Sequence, residues 1–323
     1  MVLNFYAGPT TLPAPVMAQP AFGKATLARV VQDTGTLTTQ LLAGWEQAAR
    51  RGEAVDVLND MQHLAMRVIG MALFSRDLEN DLQAGLADAA GADPRGTRGA
   101  NCFTATVRAG VQVVALRNVS PAPLPLWVPT RLHRRFRRGL AAVDRFVYAR
   151  IDERLADPGG YGDMLADLVR SYGDQAAAAD TRRELRDQVV TLFFAGFETT
   201  AVALAWTWLL LGQHQAAEAR FHQELAAVLG GRAPGAEDLK ALGYTGQVVQ
   251  ESMRMYPPVY TLTRQVVADD EIAGFATAEM MTVLAVAGQR VRLRPASAEP
   301  VTIIPAVTQR PAGGLPMLVE VRS

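Results

Sequence analysis

The chain has 323 residues, 49% of them hydrophobic, and its 32 Lys+Arg balance 32 Asp+Glu. That length builds one large domain or two ordinary ones with a sizeable core, and the neutral balance gives no electrostatic case for nucleic acid as a partner. A single cysteine, Cys102, excludes an intrachain disulfide framework and fits a reducing, cytoplasmic compartment.

The opening MVLNFYAGPTTLPAPVM places no basic residue ahead of an apolar stretch and does not read as a secretion signal. Helical periodicity governs residues 24–256. Thr36–Ala49 and Ala54–Phe74 repeat apolar residues at spacings of three and four. The proline-rich segment Asn118–Pro129 must be irregular. A basic helix is expected over Arg131–Ala156, ended by Pro158-Gly159-Gly160, with a short helix near Tyr161–Tyr172. Thr181 and Glu184, three apart, form a capping-box pattern ahead of an apolar run that reaches Leu211. Thr191–Leu211 is long enough to span a membrane, but Glu198 in its middle is costly in lipid, so it reads as a buried central helix, with no transmembrane segment. A further helix over Gln215–Leu229 stops at Gly230-Gly231, and the helix carrying Glu251 stops at Pro257-Pro258. Beyond it, Val259–Val267, Val291–Arg294 and Val301–Val307 have strand character, with a last helix over Phe275–Gln289. The fold class is therefore mainly α, with a small β appendage near the C-terminus packed on the helices.

Two motifs carry chemistry. Gly196, in mid-helix, costs roughly 1 kcal/mol relative to alanine, and one reason for it is close approach of something flat and bulky to the backbone; Glu198 and Thr199 then place a carboxylate beside a hydroxyl in an apolar setting. By itself this reads as a glycine kink with a polar pair. Glu251 and Arg254, three apart on a helix, meet as an ion pair. His63, His133, His214 and His222 show no metal-ligand spacing and read as helix residues, His133 on the basic face. Arg131, Arg134, Arg135, Arg137 and Arg138 form a basic cluster, first a solvated helix face and otherwise a docking patch for an acidic redox partner or a membrane surface.

In order and spacing these residues resemble the cytochrome P450 superfamily. Ala195-Gly196-Phe197-Glu198-Thr199-Thr200 looks like its central-helix signature, and Glu251-x-x-Arg254 with Pro257-Pro258 like its Glu-x-x-Arg helix. Gly52–Phe74, Trp127–Ile151, the Phe275-Ala276-x-x-Glu279-Met280 helix and the C-terminal QRVRLRP and PAVTQRPAGGLPM segments resemble further parts of the fold. The resemblance covers residues 19–323 as a single partial domain, helical over 19–257 and mixed over 258–323, after an atypical segment 1–18. It implies a haem-dependent monooxygenase of soluble, bacterial type that inserts oxygen into an apolar small molecule, with electrons from a ferredoxin or flavin reductase. By resemblance, Glu198 and Thr199 are the acid–alcohol pair that relays protons, and Ala195 and Gly196 lie against the porphyrin. Arg264 pairs with a haem propionate, Glu251 and Arg254 stabilise the fold, and Val259, Tyr260, Thr261, Leu262 and Thr263 line the substrate pocket.

The departures are as informative. The family's ligand loop reads roughly Phe-x-x-Gly-x-Arg-x-Cys-x-Gly just ahead of the helix that starts here at Phe275. In this chain Glu271-Ile272-Ala273-Gly274 runs straight into Phe275, and no cysteine follows residue 102. In the register of that motif, Cys102 is flanked by Arg95, Arg98, Ala100 and Thr104, which fail all four positions. The segment before residue 19 does not resemble the family's early helices, so the match is truncated there. The expectation is therefore a P450 by descent with no thiolate ligand, no metal site of its own, doubtful haem binding and no turnover. The alternative is a haem-free helper or scaffold for a partner enzyme such as a glycosyltransferase.

Overall fold

The computed structural model describes residues 23–78, 113, 125, 127–128, 130–157, 159–259, 275–305 and 308–322. In chain order the helices and strands are α1 (Lys24–Arg51), β1 (Ala54–Asp56), α2 (Val57–Phe74), α3 (Arg131–Ala156), α4 (Met164–Tyr172), α5 (Ala179–Gln213), α6 (Gln215–Leu229), α7 (Gly243–Met255), α8 (Phe275–Arg290), β2 (Val291–Pro295), β3 (Ile303–Pro305), β4 (Gln309–Pro311) and β5 (Pro316–Val321). They fall into two compact units. Of the described residues, those within 70–194 make up one, and those within 23–69 and 195–322 the other.

In the first unit, α3 buries Gly139, Ala142, Val143, Val147, Ile151 and Arg154 along one stripe. Spacings of three and four put these on one helix face. Thr130 caps the helix by accepting from the His133 amide at 3.0 Å. Arg154 is the keystone. Its guanidinium is fully buried, donates to Asp163 at 2.5 Å and to the Phe74 carbonyl at 2.7 Å, and lies 3.9 Å from the Tyr161 ring centroid. Asp163 turns its other oxygen to the Ala166 amide at 2.9 Å, capping α4. Glu153 adds a second ion pair to Arg154 at 2.8 Å, so Asp163 shares in neutralising the buried cation while it also starts a helix.

In the second unit, α8 packs along α1, and both pack on the sheet side of the unit through β2 and β5. Trp45 of α1 donates to Asp60 of α2 at 2.8 Å and meets Trp208 of α5 edge to face at 6.3 Å. From Ala201 to Leu209 every residue of α5 is buried. That burial assigns its apolar length, the one candidate membrane span among the described residues, to the protein core. The sheet order is β1-β5-β2, all antiparallel, with β3 and β4 forming a separate two-stranded ribbon. At Gly212 the end of α5 approaches β2 so closely that a Cβ would stand 2.4 Å from the Leu293 carbonyl oxygen.

Several local expectations change. Ala54–Asp56 is not the start of a helix but a strand paired with Pro316–Leu318, because Gly52 ends α1 in the left-handed region (φ 64°) and turns the chain onto the sheet edge. Thr181 is not a cap, since α5 already starts at Ala179. His133 does not share the basic face. It is buried, with its ring nitrogen 3.0 Å from the Val128 carbonyl. Val259 lies in a bend; the rest of Val259–Val267 is outside the described residues, as are the 1–18 segment, Cys102 and residues 306–307.

Candidate functional site

The candidate site is built on α5 where it enters the second unit. Here the helix has two unlike faces. Phe197, Glu198, Thr200 and Ala201 are buried, whereas Ala195 is exposed and Gly196 and Thr199 are half-buried. Neighbouring residues on a helix stand about 100° apart, so Ala195, Gly196 and Thr199 share an open stripe on a helix that is otherwise core.

Glu198 belongs to the other side. Its carboxylate accepts from Gln62 Nε2 of α2 at 3.1 Å and from the Thr308 hydroxyl at 3.5 Å, with Arg310 Nη1 of β4 3.9 Å away. Thr199 donates its hydroxyl to the Ala195 carbonyl at 2.6 Å, one turn back. The acid and the alcohol adjoin in sequence, but each is engaged elsewhere. Gln62, Thr308 and Arg310 escape a reading of the sequence because they lie 136, 110 and 112 positions from Glu198. The partial signal was the QRP segment at 309–311.

Gly196 also has a protein neighbour. A Cβ there would stand 3.1 Å from Ile69 Cδ1 of α2. This close neighbour is an aliphatic side chain of α2, not the flat, bulky group that the sequence suggested.

Glu251 and Arg254 form the expected pair, bidentate at 2.7 and 2.6 Å within one turn of α7. The Arg254 hydrogen bond holds the Glu251 carboxyl below its ordinary range. Both side chains are exposed, and among the described residues they bond only to each other in side-chain contacts. Val259 is half-buried; Tyr260, Thr261, Leu262, Thr263 and Arg264 lie outside the described residues.

One group not assigned a chemical role stands out on α8. Glu279 is 4% exposed and its Oε1 has no hydrogen-bond partner among the described residues. Burial raises its carboxyl to about 8, so it is neutral at pH 7.

The donor set does not fit a thiolate-held haem. Cys102 is the sole thiol and fails the ligand-loop pattern. Among the described residues no group of three or more His, Cys, Asp or Glu could hold a metal ion. His133 and His214 turn a ring nitrogen to backbone carbonyls, and His222 is buried on α6.

Comparison with known proteins places this arrangement. The family model for cytochrome P450 matches residues 17–288. Cyclooctatin synthase of Streptomyces melanosporofaciens is 33% identical over 259 residues, covering 80% of this chain and 52% of that protein. Cyclooctat-9-en-7-ol 5-monooxygenase of the same organism is 32% identical over 258 residues, with the same two shares of 80% and 52%. Pentalenene oxygenase of Streptomyces avermitilis is 35% identical over 158 residues, covering 49% of this chain and 35% of that protein. The chain thus spans about half the length, or less, of these relatives. A solved cytochrome P450 structure superposes with a TM-score of 0.71 at 18% identity, covering 95% of this chain and 81% of that one, which speaks for the fold. The family match over most of the chain, the shared fold and the α5 signature agree: the chain belongs to the cytochrome P450 family.

Proposed function

We propose that this chain descends from a monooxygenase acting on an apolar, alkene-bearing small molecule, and that as it stands it does not turn over. The substrate class is carried by the relatives whose names specify cyclooctat-9-en-7-ol and pentalenene. The absence of turnover rests on one observation: the sequence holds no cysteine from residue 103 to its end, and Gly274 adjoins Phe275, the first residue of α8. Without a thiolate the iron receives no push of electron density toward O–O cleavage. In this reading Ala195 and Gly196 keep the surface on which a flat porphyrin would lie, and Thr199 keeps the alcohol. Glu198 is the inherited acid, now held by Gln62 and Thr308. Arg264 and the Val259–Thr263 segment keep the propionate and pocket positions, and Glu251–Arg254 the fold-stabilising pair. A ferredoxin or flavin reductase would have been the redox partner.

The test is a product assay. The purified chain, supplied with haem, dioxygen, a ferredoxin–reductase pair and pentalenene, is expected to yield no oxygenated product above the haem-only control by mass spectrometry. Protein-dependent oxygenation would refute the reading.

A specific observation favours a second reading, a haem-free helper or scaffold. The Glu198 carboxylate ties α5 to α2 and β4, and a non-catalytic protein would retain such a tether. A helper would raise the activity of a partner enzyme such as a glycosyltransferase, equally well in a Thr199→Val variant.

A further inference from the structure

The first unit carries a surface that the oxygenase reading does not use. Arg131, Arg134, Arg135, Arg137, Arg138 and Arg145 are all exposed on the outward side of α3. Among the described residues none of the six guanidinium groups has an ion-pair or hydrogen-bond partner. No acidic residue occurs from Arg131 to Val143, and the first to follow, Asp144, is engaged by Arg186 at 2.7 Å. At 1.5 Å per residue the array extends about 21 Å along the helix. In a chain of zero net charge, six cations on one face with no partner among the described residues are a local asymmetry.

Next to this array stands Trp127, 76% exposed, in the turn that leads into α3. The turn is fixed. Val128 donates to the Pro125 carbonyl at 3.1 Å, and the buried His133 ring meets the Val128 carbonyl at 3.0 Å. The indole is therefore presented by a pinned turn beside the arginines.

We propose that this face docks the chain on an anionic lipid bilayer, with Trp127 entering the headgroup layer and the arginines meeting lipid phosphates. Two features select a bilayer over an acidic protein. Five arginines within about 10 Å of helix, with no acid among them and the one acid before Arg145 already engaged by Arg186, match a continuous negative surface better than a few discrete carboxylates. An exposed indole also prefers the bilayer interface, where its apolar body and polar N–H are both satisfied. The face outside the arginines carries only Ala141 as an exposed apolar residue in the first half of α3, so the helix rests on the headgroups and does not sink among the chains. This inference stands apart from the oxygenase reading, and its test does not involve haem.

The chain is mixed with vesicles of phosphatidylcholine alone or with roughly one third phosphatidylglycerol, and binding is read by co-sedimentation. Tryptophan emission gives a second readout. Of the four tryptophans, Trp45, Trp206 and Trp208 are buried, so a blue shift and protection from acrylamide report Trp127. The expected result is binding to the anionic vesicles only, with the emission shift, weakening as salt rises from about 0.01 to about 0.15 M. The triple variant Arg134→Gln, Arg135→Gln, Arg138→Gln should lose on the order of a hundredfold in partitioning while its far-ultraviolet circular dichroism stays unchanged. Three results would overturn the proposal: no sedimentation with anionic vesicles at low salt, equal binding to both vesicle types, or a triple variant that binds like the parent. Preferential binding of soluble polyglutamate, with vesicles left free, would assign the face to an acidic protein and overturn it too.

Discussion

Replacing Glu279 with glutamine should make the chain more stable at neutral pH, and the gain should grow with pH. In the fold the carboxyl is fully enclosed and keeps its proton up to about pH 8; in the unfolded chain it ionises near its ordinary value of 4.5. Between those values the folded state binds more protons than the unfolded one, so stability falls as pH rises through that window. Each pH unit well inside it removes about 1.4 kcal/mol, which sums to about 3 kcal/mol between pH 4.5 and pH 7. Glutamine fills nearly the same volume and cannot ionise. The measurement is urea denaturation of both proteins from about pH 5 to pH 8, followed by the emission of Trp45, Trp206 and Trp208, which lie in the same unit as Glu279. Other titrating groups cancel in the difference between the two curves. That difference should climb steadily with pH. A flat difference would refute the reasoning, because it would mean the carboxyl ionises alike in both states.

Asp163→Ala should destabilise the first unit by about 2–4 kcal/mol, because it removes a charged hydrogen bond to the buried Arg154, leaving Glu153 as its carboxylate partner, and uncaps α4; far-ultraviolet denaturation curves check it. Gly212→Ala should lower the thermal midpoint, since its new Cβ would press on the Leu293 carbonyl at 2.4 Å and overpacking of about 1–3 kcal/mol outweighs the helix-propensity gain. Gly44→Ala, with nothing within 4 Å of its Cβ, should instead stabilise α1 by up to about 1 kcal/mol. Burial lowers His222 to about 4, with Arg322 and Arg292 opposing its charge and Glu218 favouring it. The unfolded chain takes up the proton first, so this residue should make stability fall as pH drops from about 6.5 toward 4. His222→Phe should remove that component of the acid limb, and an unaltered limb would refute it.

What the sequence made legible was local. The ends of α3 and α6 follow from periodicity and from Pro158-Gly159-Gly160 and Gly230-Gly231, signals contained within a few residues. The α5 core and the Glu251–Arg254 pair are equally short-range. What stayed hidden depends on distant partners. Strand β1 is three residues long, reads as helix by its own pattern, and exists because β5 supplies a ladder more than 250 positions away. Glu198 adjoins Thr199 in sequence, but its carboxylate's partners in the fold, Gln62, Thr308 and Arg310, are set by distant segments. Gly196 reads in the sequence as a place for something flat and bulky, whereas the neighbour found there is the Ile69 side chain, which could not be named from sequence. Glu279 carried a motif match and no hint that its carboxyl would be enclosed, because enclosure comes from the packing of α8 along α1 and beside α6 and α7.

The central claim is that a P450-family chain has lost the thiolate its chemistry requires, and the reduced, carbon-monoxide-bound absorption spectrum of the haem-supplemented protein tests it most directly. The expected result is no thiolate-type Soret band. A thiolate-type band that disappears in Cys102→Ser would contradict the account, because it would give the iron a ligand in the one cysteine the chain retains.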